Sequence, residues 1–212
     1  MKKILFLFLS ICLSLFAKTS WYSSECIHKS MSDFGIEATL DELPGLEKLL
    51  DEKKATISTH ILRSKEIKED FEYVKNELIE NDLPVSIVYI CFAESNFHAK
   101  ARGYNTAGVW QLTNATAVKL GLKISKKNDE RLDVKKSTKA VIGLWKKLMA
   151  KHGKLYLADF SYGLGEGTLQ KAIDSTGSKK FAKLWKSKYM SYGMKAHFAK
   201  LILLDCAFSK QD

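Results

Sequence analysis

Between Leu83 and Ala93 the chain reads LPVSIVYICFA, an apolar run broken only by Ser86 and Tyr89. Such a segment offers water no polar face, so any fold this chain adopts must enclose it. Pro84 suits the first turn of a helix. A helix starting there puts Ile87, Ile90, Cys91 and Glu94 at i, i+3, i+4 and i+7, on one face. The run therefore predicts a buried helix that ends at a carboxylate. Glu94 is the single acidic residue between Asp82 and Asp129. A carboxylate at the edge of a buried segment is costly unless something uses it. Desolvation there raises its pKa and favours the protonated form, the state a general acid needs near neutral pH. Spacing alone also allows a solvated carboxylate capping an exposed helix end.

The rest of the chain is helical in pattern, and an all-α domain is expected. Ile67, Phe71, Val74 and Leu78 form one stripe. Ala117 and Leu120 continue a short helix that Gly121 can end. Asp133 to His152 is the clearest amphipathic helix, with Val134, Val141, Leu144, Trp145, Leu148 and Met149 on one face and Gly153 closing it. Shorter helices are expected at Leu155–Tyr162 and Thr168–Asp174. A last one carries Met194, Phe198, Leu201, Ile202 and Phe208. Strand signals are few. Residues 18–64 read as a weakly periodic lead-in, with a turn at Leu43-Pro44-Gly45 and a short helical pattern at Leu46, Leu49 and Leu50. Residues 65–212 read as the single folded domain.

At the N-terminus, Lys2 and Lys3 precede an apolar stretch from Ile4 to Phe16, and Ala17 closes a cleavage-like site. That stretch is too short to span a bilayer, so residues 1–17 are expected to be a secretory signal peptide. Their removal takes away two lysines and no acid, lowering the formal charge from +10 to about +8. The excess is mostly lysine, which suits either a solvated surface or an acidic polymer such as an envelope glycan or a membrane surface. Export to the periplasm makes nucleic acid an unsuitable partner. A monomer is expected, with peripheral contact to the envelope. Of the cysteines remaining after cleavage, Cys91 reads as a small buried hydrophobe, while Cys26 and Cys206 could join the two ends of the chain. The histidines are scattered and no CxxC or HExxH occurs, so neither metal nor cofactor is expected.

Two further clusters bear on Glu94. Gly103, Asn105 and Gly108 punctuate a loop that returns at Val109-Trp110-Gln111-Leu112. Downstream, SYGLGEG (161–167) places Tyr162 and Glu166 among three glycines, which permit unusual backbone angles and close approach of a ligand. An isolated acid, an indole beside an amide, and a Gly-rich Tyr loop suit a carbohydrate groove. Each element taken alone also reads as ordinary core or turn.

The combination resembles a known family. AESNFHAKA and AGVWQLTNATA, then DERLD (129–133), STKAVIGLWKKL and SYGLGEGTLQKAI, are similar in content and order to the lytic murein transglycosylase (SLT, goose-lysozyme-like) domain, membrane-bound D type. The likeness covers about residues 66–208. It implies a lysozyme-like helical fold and makes Glu94 the catalytic acid, followed by Ser95. It places Gln111 along the sugar groove with Trp110 packing beside it. Tyr162 would orient or hydrogen-bond Glu94, and Glu166 would lie with the substrate-binding residues. Asp129, Arg131 and Asp133 match a structural motif. The chain departs from the family where Gly163 replaces an Asn, Asn114 a Pro and Gly103 a Ser. No lysin-motif repeat follows, and the basic surface is expected to take part of that glycan-anchoring role.

The implied substrate is the peptidoglycan glycan strand, and the implied reaction needs one carboxylate. Glu94 would protonate the oxygen linking N-acetylmuramic acid to N-acetylglucosamine, and the muramic 6-hydroxyl would close a 1,6-anhydro ring. A muramidase acting on the same bond would need a second carboxylate, for which the sequence offers Asp129, Asp133, Asp159 and Glu166. A glycan-binding protein without catalysis is the remaining alternative.

Overall fold

The computed structural model describes residues 23–209, and for residues 58–66 the backbone alone. The leader read at residues 1–17 lies outside these. The described residues form α1 (Ser24–Asp33), α2 (Leu46–Glu66), α3 (Lys68–Glu80), α4 (Val88–Ser95), α5 (Asn114–Lys119), α6 (Val134–His152), α7 (Leu155–Leu164), α8 (Glu166–Thr176), α9 (Phe181–Trp185) and α10 (Tyr192–Phe208). A 3₁₀ turn at Val85–Ile87 leads into α4 and another spans Glu130–Leu132. Two short strands, β1 (Thr106–Ala107) and β2 (Leu112–Thr113), pair antiparallel, with Thr106 opposite Thr113.

The innermost helix is α10. From Leu201 to Phe208 every residue is buried, polar Asp205 included. A helix without a water-facing side has to be enclosed, and α1, α2 and α4 pack around it. Met194, Phe198, Leu201, Ile202 and Phe208, expected on this helix, are all buried, and so are the residues between Leu201 and Phe208. The covalent link between Cys26 on α1 and Cys206 on α10 adds to the enclosure, and Cys91 remains a buried free thiol.

The weak periodicity of the lead-in conceals two helices. Ser23 caps α1, its side chain accepting from the Cys26 amide. The pattern at Leu46, Leu49 and Leu50 opens a 21-residue helix. Ile27, Met31, Phe34, Leu46 and Ile57 belong to the same hydrophobic core as Val141, Trp145 and Leu203. This segment and the C-terminal helix therefore share one interior.

Helices α3 to α8 lie where their sequence signals point, while the short α9 falls at no expected helix. Asp133 caps α6, accepting from the Lys136 amide at 2.9 Å, and Gly153 closes it at φ +71°. Phe71 of α3, Phe92 of α4 and Phe208 of α10 meet with ring centroids 5.3–5.8 Å apart. That aromatic contact fixes the direction of α4, and so the place where its last turn emerges.

Candidate active site

Glu94 lies in the last turn of α4, and the sequence after it explains why the helix stops there. Asn96 (φ +53°) and Phe97 (φ +59°) are both left-handed. The Asn96 amide donates to the Phe92 carbonyl at 2.9 Å and the Phe97 amide to the Cys91 carbonyl at 3.0 Å. This closes the orphan carbonyls of the helix end, while the Phe97 ring turns back into the core at 2% exposure. Ile87, Ile90 and Cys91, on the face that Glu94 ends, are fully buried. The Glu94 side chain itself is 26% exposed. Burial pushes its carboxyl above the usual range, His197 opposes that, Asp159 adds to it and Lys200 opposes it, with burial prevailing.

The loop beside Glu94 is held by hydroxyls from two helices. Ser95 Oγ lies 2.9 Å from the Cys91 carbonyl and 3.1 Å from the Val109 carbonyl. The Tyr162 hydroxyl, on α7, donates to the next carbonyl, that of Trp110, at 2.6 Å. Gly108 has φ +78°, and a Cβ there would overlap the Arg131 carbonyl oxygen. Arg131 in turn donates to the Leu112 carbonyl at 3.0 Å and grips Asp129 through Nε and Nη2 at 2.9 and 2.8 Å. The Asp129–Asp133 motif thus staples the hairpin from behind.

Seen against this geometry, the expected site residues divide. Glu94 faces a groove of about 410 Å³ whose walls include Lys53, Gly163, Met194, His197 and Lys200. Ser95 and Tyr162 stand behind the acid as supports, and Tyr162 binds the loop rather than donating to Glu94. Trp110 is fully buried and donates through Nε1 to Thr138 Oγ1 at 3.0 Å, so its ring offers no face to a sugar. Gln111 sits at the turn with φ +46°. Its amide is engaged at both ends, accepting from Thr106 Oγ1 at 2.6 Å and donating to the Gly108 carbonyl at 2.8 Å. Glu166 lies in a knot with Ser161, His152 and Lys151 at 2.7, 2.9 and 2.6 Å. Burial raises its carboxyl, but the three donors outweigh that and hold it at about 2.

The departures from the family pattern have local reasons. Gly103 packs against the Thr106–Gln111 hydrogen bond, leaving no room for the usual Ser side chain. Asn114 is the first residue of α5, where Pro is favoured but not required, and Thr113 caps that helix in any case. Gly163 opens the groove wall, and a Cβ there would lie 2.8 Å from Met194 Cε.

The residue that sequence reasoning missed is His197, on α10. Its Nε2 lies 3.0 and 3.2 Å from the two oxygens of Asp159, and its Nδ1 lies 3.6 Å from Glu94 Oε1. Asp159, on α7, is fully buried. Burial pushes the imidazole pKa down, while Asp159 and Glu94 push it up and prevail. Among the described residues no group of three or more His, Cys, Asp or Glu side chains could hold a metal ion. Each second acid offered by the sequence is occupied: Asp129 by Arg131 and Arg102, Asp133 by the α6 cap, Asp159 by His197, and Glu166 by its knot.

A helical domain that ends a buried helix on one desolvated glutamate, beside an open groove, has the lysozyme-like architecture. Residues 73–185, over half of the chain, match the transglycosylase SLT domain, and the chain belongs to that family. It is 34% identical over 109 residues to a tributyltin chloride resistance protein of Alteromonas sp. (strain M-1), covering 50% of this chain and 53% of that protein. Over 109 residues it is 30% identical to membrane-bound lytic murein transglycosylase D of Escherichia coli (strain K12), covering 50% of this chain and 24% of the relative. The chain therefore matches about half of one relative and a quarter of the other.

Proposed function

We propose that the protein is a peptidoglycan lytic transglycosylase that cleaves the bond between N-acetylmuramic acid and N-acetylglucosamine and leaves 1,6-anhydro ends. Glu94, whose carboxyl burial pushes above the usual range, gives its proton to the glycosidic oxygen as the C1–O bond breaks. The resulting carboxylate takes the proton of the muramic 6-hydroxyl, whose oxygen attacks C1. The nucleophile belongs to the substrate, so its effective molarity is high and no nucleophilic side chain is needed.

The observation that carries this reading is that Glu94 is the one carboxylate among the residues lining the groove. Most glycoside hydrolases use a second carboxylate across the sugar, and each of the four candidate acids is held by a partner, Asp159 by the His197 that adjoins Glu94. Lys53 and Lys200 on the groove wall suit an acidic substrate such as peptide-bearing glycan. Export by the leader would bring the enzyme to the periplasm, where this polymer lies. Among the described residues no helix is long and apolar enough to cross a membrane.

Digestion of purified peptidoglycan followed by mass spectrometry tests the proposal. Anhydro ends that vanish in Glu94→Gln are expected. Reducing ends instead would mean a muramidase, and glycan binding without any cleavage would mean a non-catalytic protein.

A further inference from the structure

We infer that His197, oriented by Asp159, is a positioning residue for Glu94, holding a cation beside the acid to receive the carboxylate formed between the two proton transfers. This rests on Glu94 being the acid. Asp159 is fully buried, and both its oxygens face His197 Nε2 at 3.0 and 3.2 Å. Burial pushes the imidazole pKa down, but Asp159 and Glu94 push it up and prevail, so the ring is the group placed to carry the positive charge. With Nε2 committed to Asp159, the other ring nitrogen, Nδ1, lies 3.6 Å from Glu94 Oε1.

That separation is longer than a hydrogen bond, and the length suits the task. A tight ion pair in the resting enzyme would strip Glu94 of the proton it must donate. Once Glu94 has released that proton, a movement of less than about 1 Å completes a charge-assisted hydrogen bond of ~2.8 Å. The carboxylate then takes up the 6-hydroxyl proton and the contact relaxes. His197 keeps its own protons throughout, so the cycle balances without any other reactant. The charged groups around the imidazole are Asp159 from α7, Glu94 from α4, Lys200 one turn further along α10 and Lys53 from α2 on the groove wall. Lys200 opposes its charge, and Asp159 and Glu94 support it.

The test is the activity of His197→Gln and Asp159→Asn on soluble glycan strands, with folding checked by circular dichroism. Each substitution is expected to lower kcat by about 10- to 100-fold, the worth of a hydrogen bond to a charged group, with KM little changed. The double variant should be no slower than the worse single one, as for residues acting as a unit. Removing the cation raises the Glu94 pKa, so the alkaline limb of the rate profile in His197→Gln should move to higher pH. A merely structural histidine would lower the rate without moving that limb. Wild-type kcat and limb in a folded His197→Gln, with Glu94→Gln inactive, would overturn this inference and leave the proposed function standing. An active Glu94→Gln would overturn the proposed function itself. Nitrogen-15 NMR of the wild-type imidazole decides the matter should the variants not fold. Both ring nitrogens of His197 should be protonated near neutral pH, with the titration shifting down in Glu94→Gln. A neutral His197 under those conditions would refute the inference.

Discussion

The Tyr162 hydroxyl donates to the Trp110 carbonyl at 2.6 Å, tying α7 to the loop behind Glu94 across 52 positions of sequence. The same ring stacks on Trp145 of α6, with centroids 4.9 Å apart. Tyr162→Phe keeps that stacking and leaves the carbonyl of the buried Trp110 without this donor. A loss of ~1–3 kcal/mol in unfolding free energy is expected, measured by urea denaturation. Activity should also fall, because the loop that backs the acid is loosened. Unchanged stability and activity would show that the bond supports nothing.

As the proposed general acid, Glu94 would donate only while protonated. Burial holds its carboxyl above its ordinary value of 4.5. Activity should therefore persist at pH values where an exposed glutamate is ionised, and fall as pH rises through the raised pKa. The rate of anhydro-product release against pH reads this directly, and an alkaline limb at 4.5 or below would contradict it. Glu94→Gln should lose at least ~100-fold at pH values where wild-type Glu94 is protonated, the low end of general-acid catalysis, and the gap should narrow on the alkaline side.

Gly108 is the position least able to accept a side chain. Its φ of +78° and the Arg131 carbonyl both exclude a Cβ. Gly108→Ala is expected to destabilise the domain by roughly 2–4 kcal/mol, through backbone strain plus displacement of the Arg131 turn. Thermal unfolding of the purified variant checks it.

Asp129 answers to acid. Hydrogen bonds from Arg131, with help from Arg102, bring its carboxyl from 3.8 down to about 2. Its side chain is only 7% exposed. Because the folded pKa is depressed, the contribution is complete above about pH 4 and disappears as pH falls toward 2. Asp129→Asn should cost about 2 kcal/mol at neutral pH, and the difference from wild type should close on acidification. A gap that persists at pH 2 would assign the loss to packing instead.

The bond between Cys26 and Cys206 closes a loop of 180 positions. Constraining the unfolded chain over such a span is worth ~2–5 kcal/mol. Reduction, or Cys26→Ser, is expected to lower Tm by about 5–15 °C, with scanning calorimetry as the readout. The buried Cys91 thiol should resist alkylation in the folded oxidised protein.

Helices α3, α4 and α6 were legible because each buries one stripe or a whole surface, and apolar spacing records that. The α2 helix was nearly invisible beyond its first turn: residues 51–54 are all charged, and its partner α10 lies over a hundred residues away. Trp110 shows a different limit. An indole beside an amide reads alike whether it stacks on a sugar or fills a core, and only its contact with Thr138 separates the two.

By itself the sequence determined that the chain is helical, that an apolar helix ends on a lone acid, and that its motifs fall in the transglycosylase order. Those properties are local or sequential, carried by residue types at fixed spacings. Tertiary structure alone decided what surrounds the acid. It brought His197 and Asp159 to Glu94 from positions 103 and 65 residues away, turned Trp110 inward, and occupied each rival carboxylate with a partner. Charge and burial act through space, and a buried pair such as Asp159 and His197 leaves no periodic trace in the chain that encodes it.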